Sequence, residues 1–165
     1  MSATRQDLMD FFDLLGIGVT TTEHPPLFTV EESRNLRGDI AGGHTKNLFL
    51  KDKKGALFLL VAGEDAAIEM KTLHQKIGSA RLSFGRPELL AEKLGVAPGS
   101  VTPFGLINDK GGDVAVLLEA GLMRHDRLNF HPLENIATTT IGREDFLAFL
   151  RASGHEPRIV AAAGS

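Results

Sequence analysis

The chain of 165 residues contains no cysteine, no tryptophan and no tyrosine. Without cysteine there is no disulfide, no thiol nucleophile and no thiolate metal site. A reducing compartment suits such a chain. All ten aromatic residues are phenylalanine, so aromatic packing comes without a hydroxyl or indole N–H to satisfy. No apolar run approaches the ~18 residues of a membrane span, and the first residues carry no apolar signal core. These absences predict a soluble, cytoplasmic protein with no membrane partner. Several motifs are missing too. There is no GxGxxG dinucleotide fingerprint, no GxSxG nucleophile elbow and no HExxH. Gly38 and Gly43 have the spacing of a phosphate loop, but His44 and Thr45 follow where that motif needs Lys and then Ser or Thr. The histidines, His24, His44, His74, His125, His131 and His155, show no metal-ligand spacing. No metal and no other cofactor is expected.

What is present describes a globular protein. Apolar residues make up 42% of the chain and the net charge is -3. The length suits one domain with a sizeable core. Leu8, Phe11, Phe12 and Leu15 recur at helical spacing between Thr4 and Gly16, which predicts a helix over 4–15. Gly18 to Thr22 reads as a short strand, and His24-Pro25-Pro26 as a stiff turn. Thr29 to Glu32 has the pattern of a capping box opening a short helix that stops near Gly38. Lys46 to Lys51 and Ala56 to Ala62 read as a hairpin around Asp52-Lys53-Lys54-Gly55. Helices are expected over 65–76, 87–94 and 144–151, and strands over 81–84, 114–118, 127–130, 136–141 and 157–160. The stretch from Gly95 to Pro103 reads as a loop, and residues 161–165 as a loose tail. The sum is an α+β domain over 1–160, with a mixed, mostly antiparallel sheet flanked by helices.

One stretch stands out: Gly42-Gly43-His44-Thr45-Lys46-Asn47-Leu48-Phe49-Leu50. Two glycines deliver a single lysine to the mouth of a strand. There, Lys46 can meet a carbonyl or phosphate oxygen while the glycines let a ligand approach the backbone. A surface hairpin that begins with lysine would look the same. His131 precedes Pro132 at the end of an apolar strand, so its backbone is extended and its ring stands at a sheet end. Lys46, His131 and backbone N–H groups near Gly105 could together bind a polarised carbonyl. A structural histidine satisfied by a carbonyl is the commoner case. Basic residues are also uneven. Residues 44–54 hold four lysines and one acid, and residues 71–86 hold four basic residues and no acid. These stretches could form a strip for a phosphate backbone or an ordinary solvated surface.

Five segments, taken together, resemble the YbaK/prolyl-tRNA-editing superfamily, and most closely its free-standing alanyl-tRNA(Pro) deacylases. They are His24 to Glu32, Gly43 to Leu50, Gly99 to Leu106, Phe130 to Asn135 and Ala137 to Thr139. They run in family order and span nearly the whole chain. The resemblance implies a YbaK-like fold and hydrolysis of the ester that joins a wrong amino acid to tRNA. It places catalytic roles on Lys46 and His131. It places substrate binding on the pocket glycine, Gly105, with Asn47, Phe104 and Pro103.

The implied partners are mischarged tRNA(Pro) and, further, prolyl-tRNA synthetase. The basic residues Lys51, Lys53, Lys54 and Arg81, with Lys71, Lys76 and Arg86 nearby, would hold the acceptor stem. A tight pocket can admit alanine and exclude the larger proline by size. No general base is obvious in the chain, so the terminal ribose hydroxyl of the tRNA or a held water would serve. Clearance of cysteinyl-tRNA(Pro) or of another small amino acid, and a module that binds aminoacyl-tRNA without hydrolysing it, stay open at this point.

Overall fold

The computed structural model describes residues 2–26 and 40–163. The helix expected near Thr29 to Gly38 lies outside them. Helix α1 spans Arg5–Leu15. Thr4 caps it by accepting from the Asp7 backbone N–H, and the Asp7 carboxylate accepts from Thr4 in return. That reciprocal pair satisfies two otherwise orphaned donors. Gly16 ends the helix at φ 73°, a left-handed conformation that favours glycine. The later helices are α2 (Met70–Ile77), α3 (Pro87–Leu94) and α4 (Arg143–Ala152).

The strands are β1 (Thr20–Glu23), β2 (Gly43–Asp52), β3 (Leu57–Gly63) and β4 (Leu82–Phe84). They continue as β5 (Val114–Glu119), β6 (Arg127–Phe130), β7 (Ala137–Gly142) and β8 (Arg158–Val160). They form an eight-stranded sheet in the order β1-β7-β6-β2-β3-β5-β8, with β4 also paired to β2. The sheet is mixed, as expected: β2–β6, β3–β5 and β5–β8 are parallel.

The sheet is covered on both faces. Leu59 and Val61 of β3 face a core built with Leu8 and Phe12 of α1, Leu90 and Leu94 of α3, and Phe146 and Phe149 of α4. Leu60, between them, faces a smaller core with Leu73 and Ile77 of α2. Burial on both faces explains why β3 reads as a continuous apolar run. At the heart of the larger core, the Phe104 ring lies 5.3 Å from each of Phe12, Phe130 and Phe149. Phenylalanine alone can build such a cluster, because no polar handle needs a partner.

Three expectations need correction. The helix expected from Asp65 begins only at Met70, because Ile68 is held in an isolated antiparallel bridge with Ala163. The tail is not loose over 161–163. Ala162 is fully buried, and the N–H groups of Ala162 and Ala163 donate to the Glu119 carboxylate at 2.6 and 3.0 Å. Burial pushes the Glu119 carboxyl up, but backbone donors at Gly121, Ala163, Ala162 and Ala120 outweigh it and hold the pKa below the usual value. Finally, Pro103–Asn108 is a buried 3-10 turn rather than the end of an open loop, and a second such turn spans Ala120–Arg124.

Candidate active site

Strand β2 has two different neighbours along one edge. Its start pairs with β6, through Gly43 opposite Leu128 and His44 opposite Asn129. Its end pairs with β4, from Leu50 opposite Phe84 to Asp52 opposite Leu82. Between them, Thr45 to Leu48 have no strand partner on that edge among the described residues. The gap opens because the chain turns away after β6. The Leu133 N–H donates to the His131 carbonyl across Pro132, and Leu133 itself stands at φ 71°. A bulky residue at positive φ is uncommon and costs about 1–3 kcal/mol; such strain clusters at working sites.

The pleat fixes which side chains meet. Residues paired side by side share a face, and alternate residues along a strand share a face. His44 and Asn129 are such a pair, so Lys46 and His131, each two positions on, project from the same side of the sheet. Lys46 is half-buried, and its Nζ donates to the Ala66 carbonyl at 2.5 Å. His131 is half-buried, and its Nδ1 lies 3.0 Å from the Ala137 carbonyl. A carbonyl only accepts, so Nδ1 carries the proton and Nε2 carries the lone pair. Burial, aided by nearby His24, lowers the His131 pKa, and the bond to Ala137 only partly offsets this. The ring is neutral at pH 7.

Supporting contacts surround this pair. The His24 ring centroid is 6.3 Å from that of His131, and His24 Nε2 lies 2.9 Å from the Thr138 hydroxyl. Arg5 pairs with Glu23 at 2.6 Å and with Glu134 at 2.9 Å, joining the residue before His24 to the loop after His131. The Asn129 amide donates to the Ala41 carbonyl at 3.1 Å, and its carbonyl accepts from Thr140 at 2.6 Å. Of these, Ala66 and Arg5 gave no signal in the sequence, because each acts through a partner distant along the chain.

The other expected site residues are held differently. Asn47 lies one position after Lys46, so it points to the opposite face. Its Oδ1 is buried and accepts no hydrogen bond from the described residues. Phe104 and Pro103 are buried, with Phe104 wholly inside the phenylalanine cluster. Gly105 spends its N–H on the Thr102 carbonyl at 3.1 Å, and a Cβ there would lie 2.8 Å from the Leu94 carbonyl. Its lack of a side chain serves the contact with α3, and its N–H does not reach out to a ligand as expected. Likewise Gly42 and Gly43 admit β6 and His125: a Cβ on Gly43 would lie 2.6 Å from the His125 ring. Both also line an open cavity with His44, Ala66 and His125, so close packing on one side leaves them facing open space on the other.

The basic residues gather at the tip of the β2–β3 hairpin. Lys51, Lys53, Lys54 and Arg81 are exposed there, with the Lys53 N–H donating to the Arg81 carbonyl at 3.0 Å. Asp52 shapes the turn by accepting from the N–H groups of Lys54 and Ala56. Lys71 and Lys76 are on α2, and Lys76 Nζ lies 3.4 Å from the Ala162 carbonyl.

A Ser-His-Asp contact does occur elsewhere. His155 bonds Asp109 at 2.8 Å and Ser153 at 3.2 Å. His155 and Asp109 side chains are each only 2% exposed, and Asp109 also accepts from the N–H groups of Asp113 and Val114. This constellation ties the segment after α4 to the start of β5, with no access for a substrate.

Residues 24–149 match the family described as aminoacyl-tRNA editing domain. The chain belongs to that family. The editing domain is a hydrolase of the aminoacyl-tRNA ester. It is 36% identical to the prolyl-tRNA editing protein ProX of Acetoanaerobium sticklandii, over 92% of this chain and 93% of the relative. It is 38% identical to prolyl-tRNA synthetase associated domain-containing protein 1 of Xenopus laevis, over 94% and 95% of the two chains. The fold matches a crystal structure provisionally described as a trans-editing enzyme for prolyl tRNA synthetase, with a TM-score of 0.73 and 17% identity, covering 100% of this chain and 99% of that one.

Proposed function

We propose that this editing domain acts in trans on alanyl-tRNA(Pro) in the cytoplasm, releasing alanine and leaving prolyl-tRNA(Pro) intact. The observation that carries the reading is the shared face of Lys46 and His131 beside the open stretch of β2. Relatives named for prolyl-tRNA editing and for association with prolyl-tRNA synthetase support tRNA(Pro) as the carrier and the synthetase as the source of the error.

In this reading the ester carbonyl lies against Lys46. A water attacks the carbonyl carbon, its proton passing to the neighbouring ribose hydroxyl or to His131, and the ammonium stabilises the oxyanion that develops. The neutral His131 Nε2 accepts a proton from the attacking group or a hydrogen bond from the substrate's amino group. The bond from the carbonyl carbon to the ribose oxygen then breaks, and that oxygen takes up a proton. No covalent enzyme intermediate is needed, because an ester is labile enough for direct attack by an activated hydroxyl. Selectivity comes from size, since the proline ring is larger than the alanine methyl.

The test is release of labelled amino acid from alanyl-tRNA(Pro) and prolyl-tRNA(Pro) at micromolar enzyme. Rapid release of alanine with proline retained is expected. Equal rates on both, or turnover of neither, would overturn the reading.

A further inference from the structure

Phe84 is the only exposed aromatic side chain among the described residues, with 61% of its surface in solvent. A lone exposed apolar residue is ordinary; its surroundings are not. Phe84 stands opposite Leu50 across the β2–β4 pair. It therefore shares a face with Leu50, Leu48 and Lys46, four residues back, about 14 Å along the strand. Its backbone is fixed on the next residue, where the Gly85 N–H donates to the Phe49 carbonyl at 2.9 Å. A Cβ on Gly85 would lie 2.4 Å from the Phe49 ring, so only glycine lets β4 sit this close. No described ring lies against Phe84.

The adjoining groove is lined by Phe84, Ser83 and Leu89, by three cations, Lys51, Lys53 and Arg86, and by three acids, Asp52, Glu88 and Glu92. Lys51 and Ser83 are the next pair along, so they project from the opposite face of the sheet; beyond Phe84 towards the hairpin tip stand the exposed cations Lys53, Lys54 and Arg81. A rigid aromatic face beside cations is the arrangement that binds single-stranded nucleic acid: each base offers a π-face and each phosphate a charge. A duplex offers no free base face there. We infer that Phe84 is a stacking platform for an unpaired nucleotide of the tRNA 3′ end, an inference that rests on the deacylase reading above. The ester then lies at Lys46, the unpaired end crosses Phe84, and the first phosphates of the stem reach Lys53, Lys54 and Arg81 at the hairpin tip.

The test uses uncharged acceptor-stem minihelices of tRNA(Pro), one ending in unpaired CCA and one lacking it, with binding read by fluorescence anisotropy. Wild type should prefer the tailed minihelix. Phe84→Ala and Phe84→Leu should weaken binding of the tailed minihelix by roughly 5- to 100-fold, the effect of one lost base–aromatic stack. Both should leave binding of the tail-less one unchanged, and Phe84→Trp should keep wild-type affinity. Equal binding of both minihelices by wild type, or tail-dependent binding that survives in Phe84→Leu, would overturn the platform. Binding needs no ester, so the two readings separate. Alanine release with tail-independent binding removes only the platform, and tail-dependent binding without alanine release removes only the deacylase.

Discussion

His131 donates its Nδ1–H to the carbonyl oxygen of Ala137 at 3.0 Å, and this bond leaves Nε2 as the ring nitrogen with the free lone pair. The pH dependence follows from it. The folded ring has a lowered pKa, chiefly through burial, while the unfolded ring protonates at about 6.5. kcat/KM should therefore fall to half its plateau at a pH below the pKa of an ordinary histidine, about 6.5. Over the same interval below 6.5 the unfolded chain takes up a proton that the folded chain refuses, so this residue also withdraws stability as pH falls. A profile for alanyl-tRNA(Pro) whose half-maximum lies above 6.5 would show that another group controls the rate.

Lys46 should be separable from stability. Lys46→Met is expected to lower the single-turnover rate by roughly 100-fold or more, the scale of losing one charge-stabilising donor. Only the bond to Ala66 is lost from the fold, so the melting temperature should barely move. Lys46→Arg should not restore activity, because a planar guanidinium does not occupy the place of a compact ammonium. Circular dichroism melts beside rapid-quench rates decide the point.

Gly105 offers a contrast. A Cβ added there would stand 2.8 Å from the Leu94 carbonyl, so Gly105→Ala must displace α3. The expected cost is about 1–3 kcal/mol, a drop of several degrees in melting temperature. The preference for alanine over proline should not change. A variant that melts like wild type but hydrolyses prolyl-tRNA(Pro) would return Gly105 to the substrate pocket.

Arg81 tests the hairpin tip. If Lys51, Lys53, Lys54 and Arg81 neutralise phosphates, log affinity for tRNA should fall linearly with log salt concentration. Arg81→Ala should weaken binding and reduce that slope by about one, with the melting temperature unchanged because the side chain is exposed. A flat salt dependence in filter binding would leave the ester site standing and discard the basic tip.

The sequence made local features legible and distant ones not. Thr4, Asp7 and Gly16 mark both ends of α1 because capping involves only neighbours in the chain. The hairpin is legible for the same reason: Asp52 and Gly55 build its turn from within four residues. Lys46 and His131 stood out in the sequence, but their placement on one face depends on the parallel contact of β2 with β6, more than eighty residues apart. No periodicity records that contact. Gly105 misled because a residue without a side chain looks the same whether a ligand or a helix end fills the space. Residues 65–69 misled because their helical pattern yields to the bridge between Ile68 and Ala163.

If Lys46 meets the ester as proposed, its placement within the longest strand has a consequence for how such enzymes diversify. β2 is held by β3 along most of its length and by β6 and β4 at its two ends, so the lysine cannot be moved by small substitutions without disturbing the whole sheet. The segment after His131 is built from turns instead: residues 131–135, and the 3-10 turn at Pro98–Ser100, where Gly99 approaches Asn135. Exchanges of side chains and changes of turn length are cheap in such segments. New tastes for amino acids should thus arise by rewriting the turns around an immovable lysine, and a mutant library restricted to those turns should hold more altered specificities than one of equal size spread over β2.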